Sequence, residues 1–413
     1  MLRSKGDLLP FFVATMDRVD DPSGTVRAGY ERAVAGRLAD IRHHFERDRR
    51  TTLVERARDL DQLPFHSLGH LGEKTERVRG LVSLIASALG WEGDGEAAEQ
   101  AAELAKADLT CETVRESPAL RGTLGGLLAR EEGYVETVWR AISHQYRPGS
   151  VEGALPATRS GQLLALADRL DTLVGFCALG ELPRGGKDPM ALRRLTLGLL
   201  RLLVELELDL DLDLVAARAA LAYGERVSVE PEDLLGSLQG FLDERIRHFF
   251  GQRGYAFDEI EAAMAVGWTS LVDLERRLRA LQEVREDAEF RSLVLAAKRI
   301  ANMVAEMAEH ELDPELLGEE AEHELSDVVA SVRGEVDEAI GERRYEVGLR
   351  AMGALVPVLD RFFAEVLVMD ENEALRNNRV ALLQVCRRLF WRIARIKQMV
   401  VDSPDRQGDS EAG

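Results

Sequence analysis

From Thr25 onward, apolar residues recur along the chain at intervals of three and four, the spacing of a helix with one buried face. Residues 26–49 predict one long helix, with Tyr30, Val34, Leu38, Ile41 and Phe45 on a single stripe. Further helices are predicted over 53–60, 73–89, 96–108, 136–146, 161–173 and 190–205, with breaker-rich loops at 90–95, 147–156 and 183–186. The alternating run ELELDLDLDL at 205–214 has the period of a strand, but aspartate is a poor strand former, so it reads as a helix end and a loop into the next helix. Helices at 234–251, 257–267, 270–286 and 288–310 follow, the last with Phe290, Leu293, Ala297, Ile300 and Val304 inward. Three long helices at 322–340, 345–367 and 375–400, joined by short connections, predict an antiparallel bundle, with Pro357 set to kink the middle one. Residues 1–30 are ambiguous: 8–13 and its flanks could be a strand, and Asp20–Gly24 is a strong turn. The fold class expected is therefore all-α.

Composition agrees: 413 residues, 46% hydrophobic and 31% charged, dominated by Leu, Ala, Glu and Arg. That length predicts roughly two or three domains. No apolar run approaches the ~20 residues of a membrane span, and no secretory leader is visible, so a cytoplasmic location is expected. Cys111, Cys177 and Cys386 are widely spaced and read as reduced, buried thiols.

Charge changes the picture at one place. The formal net charge is -20, yet residues 376–401 contain no acid and carry Arg376, Arg379, Arg387, Arg388, Arg392, Arg395 and Lys397. At 100° per residue most of these fall on one broad side, with Leu382, Leu389, Ile393 and Ile396 on the other. Such a helix can pack its apolar side and offer guanidinium groups to phosphate or to unpaired bases. The plainer reading is a solvated face balancing acidic neighbours such as Glu342 or Glu365. Asn377 and Asn378 could read base edges or face solvent. A second basic site is GKDPMALRR at 186–194, where Asp188 and Pro189 suit a helix start and Lys187, Arg193 and Arg194 lie beside a helix N-terminus, whose dipole favours anions.

Catalytic signals are missing. There is no Walker loop, dinucleotide fingerprint or nucleophile elbow. His66 and His70 are four apart, but Pro64 and Gly69 interrupt any helix and no carboxylate joins them, so no metal site is expected. His43, His44, Trp391 and Phe390 read as structural.

Three segments taken together resemble the β subunit of the bacterial heterotetrameric glycyl-tRNA synthetase. They are residues 26–60 followed by LGEKTERVRGL at 71–81, ALADRLDTLVGFCALGELPRGGKDPMALRR at 165–194, and RFFAEVLVMDENEALRNNRVALL at 361–383. They stand in the family's order and at about its spacing, and the likeness runs from about Leu9 to about Val401. It implies a multi-domain helical protein with a central HD-like helical domain and a C-terminal helical bundle of the anticodon-binding type. The domains so implied are 1–60 (the remnant of an N-terminal body domain and the long helix), 61–230 (HD-like), 231–287 (connecting helices), 288–402 (anticodon-binding-like bundle) and 403–413 (disordered tail). Met1 falls where the family's body domain is already under way, so a shortened subunit is expected.

The resemblance also implies function. ATP, with magnesium, and glycine belong to a separate α subunit; this chain would bind no cofactor or metal and carry no catalytic residue. It would grip tRNA(Gly) within an α2β2 assembly and position it for aminoacylation. Lys187, Arg193, Arg194, Arg376, Asn377, Asn378, Arg379, Arg387, Arg388, Arg392 and Arg395 are the expected RNA contacts. The chain departs from the family's pattern at Glu131–Tyr134, at Met190 and after Gln145–Pro148. The alternative is an HD-fold phosphohydrolase with a helical appendage. That chemistry needs two imidazoles and two carboxylates around metal. Asp168 could serve as its distant aspartate, but the His-Asp position reads Ala107-Asp108 and lacks the imidazole.

Overall fold

The computed structural model describes residues 3–4, 7–17, 20–183, 185–227 and 229–401. The expected disordered tail lies outside the described residues. Among these residues the chain is helical apart from a two-residue pairing of Arg3–Ser4 with Asp7–Leu8 and one isolated bridge between Pro64 and His70. The ambiguous 8–13 segment is otherwise irregular.

The first helix, α1 (Thr25–Asp48), lies within one residue of the predicted bounds, but its stripe is only partly covered: Tyr30 and Leu38 are exposed, Val34, Ile41 and Phe45 are half-buried, and Asp48 is its one buried residue. A regular apolar period foretells a helix and says nothing about what covers it. α2 (Leu53–Arg58) follows, closed by a capping box of Thr52 and Glu55.

Residues 71–221 build the central unit: α3 (Leu71–Leu89), α4 (Glu92–Leu104), α5 (Glu112–Glu116), α6 (Thr123–Glu131), α7 (Glu136–His144), α8 (Arg159–Ala178), α9 (Leu192–Glu205) and α10 (Leu212–Leu221). The sequence marked 90–95 as a loop, yet α4 begins at Glu92 and runs through Gly93 and Gly95. Gly95 serves packing rather than turning: a Cβ there would stand 2.9 Å from that of Ala86 on α3. Gly90, with φ 66°, makes the actual break. The ELELDLDLDL alternation is a helix end and an extended linker, as expected: Leu208, Leu210 and Leu212 are buried, and Asp211 caps α10 through Leu214 N–H at 2.9 Å.

The centre of this unit is α8. Every residue from Ser160 to Ala178 is buried except Gln162 and Thr172. A helix that is apolar on all sides belongs in a core, and each of its leucines contributes about 1.5–3 kcal/mol by leaving water. It contacts α3, α4, α7, α9, α10 and α11. Its three adjacent ionised positions, Asp168, Arg169 and Asp171, are thereby carried into the interior.

The remaining helices are α11 (Pro231–Gln252), α12 (Phe257–Met264), α13 (Leu271–Val284), α14 (Ala288–Met303), α15 (Glu320–Gly341), α16 (Tyr345–Ala351), α17 (Leu355–Glu365) and α18 (Glu373–Phe390). α14 has the predicted inward set, Phe290, Leu293, Ala297, Ile300 and Val304, all buried. The predicted 345–367 helix is two, split by a short 3-10 turn at Met352–Ala354. Pro357 accounts for the site of the break: without an N–H it cannot bond the Gly353 carbonyl, so the preceding turn tightens. α15 packs on α16, α17 and α18, and α14 lies against α17 and α18.

All three cysteines are buried and unbridged, as the sequence implied. Burial pushes the Cys111 and Cys386 thiols up to about 12 and Cys177 to about 11.

The α6–α7 crossing depends on Gly126, where a Cβ would fall 2.5 Å from Ser143 Cβ and 2.7 Å from the Trp139 carbonyl oxygen. Backbone cannot yield as a side-chain tip does. Gly126→Ala is expected to lower stability by about 1–3 kcal/mol, read as a reduced urea midpoint at unchanged helical content.

Candidate nucleic-acid interface

The acid-free C-terminal stretch is only half helix. α18 starts at Glu373, with the Asn372 side chain accepting the Ala374 N–H at 3.0 Å, and ends at Phe390. The predicted continuation to Val400 is a turn followed by a short 3-10 segment at Ile396–Gln398. The cause is tertiary. Ile393, Ala394, Ile396 and Met399 are all fully buried, a spacing no single helix face provides. The chain wraps onto α12 and α14 instead, with Arg395 N–H on the Ala262 carbonyl at 2.8 Å and Val400 N–H on Asp258 at 2.7 Å.

The structure divides the basic residues into two groups. Arg379, 6% exposed, pairs with Glu322 at 2.6 Å and Asp370 at 2.9 Å and donates to the Leu367 carbonyl. Asn378 exchanges hydrogen bonds with the Asp313 backbone, at 2.7 and 3.0 Å. Both side chains point into the fold. Outside stand Arg388, Arg392 and Lys397, with Arg376, Asn377, Arg387 and Arg395 half-buried. Arg387 and Arg388 share Glu309, Arg392 meets Asp337 at 2.6 Å, and Arg376 donates to the Asp370 carbonyl at 3.0 Å. The balancing acids are therefore Glu309, Glu322, Asp337 and Asp370 rather than Glu342 or Glu365. Arg387 and Arg395 also stand over the Trp391 ring, 5.0 and 4.7 Å from its centroid. Exposed pairs of this kind are worth about 0–1 kcal/mol. Phosphate can therefore replace Glu309 or Asp337 at little cost, whereas the buried Arg379–Glu322 pair is fixed.

At the second basic site the helix begins later than predicted. Pro189 and Met190 form a turn, Ala191 takes a left-handed φ of 54°, and α9 starts at Leu192. Asp188 still caps it, accepting the Leu192 and Arg193 N–H groups at 2.8 and 3.0 Å. Its carboxylate thus occupies the anion position at the helix end. An anion here would meet side chains rather than the helix end: Lys187 and Arg194 are exposed, while Arg193 donates to the Gly185 carbonyl.

Behind this helix start lies a charge network that sequence reading did not assemble. Lys74 contacts Asp168 at 3.1 Å and Asp171 at 2.8 Å; Lys106 contacts Asp168 at 3.0 Å; Arg77 meets Asp171 at 2.7 Å. Burial alone would raise the Asp168 carboxyl, but the Lys106 and Lys74 ammonium groups outweigh it and hold Asp168 well below the usual carboxylate range. Asp108 accepts the Gly122 and Gly125 N–H groups at 2.6 and 3.2 Å, and burial raises its carboxyl. Two ammonium groups therefore stand beside the one carboxylate considered for metal. No cluster of three metal-ligating side chains occurs among the described residues. His66 pairs with Glu181 at 3.5 Å and packs on Phe176. Lys74 and Lys106 were missed because an isolated lysine carries no motif. The available signal was ADRLD, three ionised positions on an otherwise apolar helix, which must find buried partners.

The family model of the glycyl-tRNA synthetase beta subunit matches residues 1–265. The chain belongs to this family. The model of the DALR anticodon binding domain matches residues 293–396, which spans α14 to α18. A glycine–tRNA ligase beta subunit of Desulforudis audaxviator is 37% identical over 391 residues, covering 94% of this chain and 57% of that protein. One from Nitrosomonas europaea is 35% identical over 415 residues, covering 97% and 58%. The chain thus spans a little over half the length of the curated relatives it matches. Exposed Arg388, on α18, and Arg392, in the turn after it, fall inside the segment similar to the DALR anticodon binding domain.

Two expectations separate fixed from available charges. Arg379→Met leaves Glu322 buried without its cation and should cost about 3–5 kcal/mol, whereas Arg388→Gln should leave the unfolding midpoint nearly unchanged. Lys74→Met should cost a similar amount at pH 7. The depressed Asp168 carboxyl stabilises the fold above its unfolded value of about 3.9, and that contribution fades as pH falls through the lower folded value. In the variant Asp168 keeps Lys106 and Asp171 keeps Arg77, so the Asp168 carboxyl is less depressed rather than unpaired, and the deficit should stay level from about pH 7 to pH 5 and narrow only below about pH 4 in urea titrations.

Proposed function

We propose that this chain is the tRNA-binding part of a glycine–tRNA ligase, acting with an α subunit that holds ATP, magnesium, glycine and the catalytic core. Its work is positional: gripping tRNA(Gly) turns a loose encounter with the α active site into an oriented one. One observation carries this reading: exposed Arg388 and Arg392 lie within the segment similar to an anticodon-binding domain, on partners weak enough to yield to phosphate. Arg376, Asn377, Arg387, Arg395 and Lys397 border the same surface, and Lys187, Arg193 and Arg194 supply a second contact. Asn378 and Arg379 support that surface from beneath. An α2β2 assembly in the cytoplasm fits the family, and no helix among the described residues is long and apolar enough to cross a membrane.

The test uses Arg388→Gln, Arg392→Gln and Lys397→Gln together, all at exposed positions. tRNA affinity should fall, and the slope of log affinity against log salt should flatten by about 0.7–0.9 for each phosphate that is no longer neutralised. Unchanged affinity and slope in the folded variant would overturn the assignment of this surface. Reconstitution with a glycyl α subunit and tRNA(Gly), read as charging, tests the positional role.

A further inference from the structure

Two cavities adjoin at the start of α9, and both are lined by Gly149 and Arg194. The inner one, about 210 Å³, is bounded by Arg121, Tyr146, Asp168, Arg169, Ala191 and Arg194. The outer one, about 540 Å³, has Val151, Leu197 and Leu200 as apolar walls and Arg193, Glu244, Arg245 and His248 as polar lining, with Arg245 paired to Glu244 at 2.8 Å. The 148–153 loop runs between them. Arg169 fixes it through the Pro148 carbonyl at 3.1 Å, and Arg201 through Ser150 and Gly153 at 3.1 and 2.8 Å.

Three guanidinium groups and one acid, Asp168, line the inner cavity. Arg169 is buried, and its guanidinium donates only to carbonyls, those of Gln145, Ala165, Tyr146 and Pro148, at 2.9–3.2 Å. Burial pushes it down to about 10. Arg121 and Arg194 are exposed and, among the described residues, neither has a carboxylate within 4.0 Å. Arg121 rests over the Tyr146 ring, 4.7 Å from its centroid, and Lys106 lies 4.3 Å from the same centroid. Asp168 is the one acid on the wall, and Lys74 and Lys106 already outnumber it. In a chain of net charge -20, three guanidinium groups, none of them in an ion pair among the described residues, around a cavity whose single acid is already paired to lysines are an anion site in waiting. Arg169 sets the field, and Arg121 and Arg194 are left to donate. Ala191 adds a second sign: its left-handed backbone, φ 54° and ψ 34°, is strained for a residue with a Cβ, and such strain gathers at binding sites.

We propose that the two cavities form one site for a single nucleotide. Its phosphate lies among Arg121, Arg169 and Arg194. Its base lies in the outer cavity against Val151, Leu197 and Leu200, and its edge faces Glu244, Arg245 and His248. The inner cavity suits a phosphoryl group, and the outer one has the size and apolar walls of a pocket for a flat heterocycle. Arg194, common to both, sits where the sugar joins them. The nucleotide is either free or an unstacked residue of bound RNA, since single-stranded RNA offers the same phosphate and base. This deepens the RNA-binding reading, with which it shares Arg193 and Arg194.

Calorimetric titration of the full chain with AMP and with UMP tests the site. Both should bind, inorganic phosphate should compete, and adenosine should bind about tenfold or more weakly, the loss expected for charge-assisted hydrogen bonds. Arg121→Gln with Arg194→Gln should weaken AMP by a similar factor, and Val151→Trp should block the outer cavity; all three positions are exposed. Displacement of AMP by tRNA(Gly) assigns the site to a nucleotide of the RNA, and simultaneous binding assigns it to a free nucleotide. The variant with Arg388, Arg392 and Lys397 changed to Gln should keep full AMP affinity whatever happens to its tRNA affinity. Absence of mononucleotide binding up to about 1 mM, or AMP binding indifferent to both sets of cavity substitutions, overturns the proposal. Neither result bears on tRNA binding by the C-terminal surface.

Discussion

The Lys74 ammonium, held between Asp168 and Asp171, is the interaction on which the central unit depends. It ties α3 to the middle of α8, and through Asp168 it reaches Lys106 in the connection after α4. Arg77 closes the other side of Asp171, and the Tyr223 hydroxyl donates to the Asp171 carbonyl. Charges removed from water cost several kcal/mol each unless they are paired and hydrogen-bonded. Helices α3 and α8 can therefore dock in only one register, the one that satisfies every member. Hydrophobic burial supplies the driving force along α8 but is non-directional, whereas the buried ion pairs and hydrogen bonds are directional and set the register.

The same rule sorts the arginines of the C-terminal bundle. Arg379 and Glu322 are both out of water and act as a clamp between α18 and α15. Arg388 and Arg392, whose partners are half in solvent, keep their charge available. A single acid-free sequence thus does two jobs, one structural and one at the surface. The division follows the face of the chain on which each side chain lies, Arg379 toward α15 and Arg388 and Arg392 toward solvent. Near α9 the pattern repeats: Asp188 neutralises the helix end, Arg169 is locked on carbonyls, and Arg121 and Arg194 remain outward.

Much of this was legible in the chain itself. Periodicity located α1, α3, α8, α11 and α15 to within a few residues, and the order of its segments indicated the family. It misplaced elements where a residue served a neighbour rather than its own helix. Gly95 looked like a breaker and is a contact with Ala86; Pro189 looked like a first-turn proline and lies before the helix. Residues 391–400 looked helical because Ile393 and Ile396 fit the α18 stripe, but Ala394 and Met399 are buried as well, and only a turn satisfies all four.

The sequence by itself determined the helical class, the family and the presence of an acid-free basic segment, because periodicity, motif order and charge are local properties of a chain. Only the tertiary structure decided which of those cations are free. Asn378 and Arg379 stand beside Asn377 in sequence, yet two are sequestered and one is half open. Lys74 and Lys106 carry no motif, yet they occupy the centre of the unit. A side chain's charge is written in its own chemistry, whereas its availability depends on what distant segments place against it.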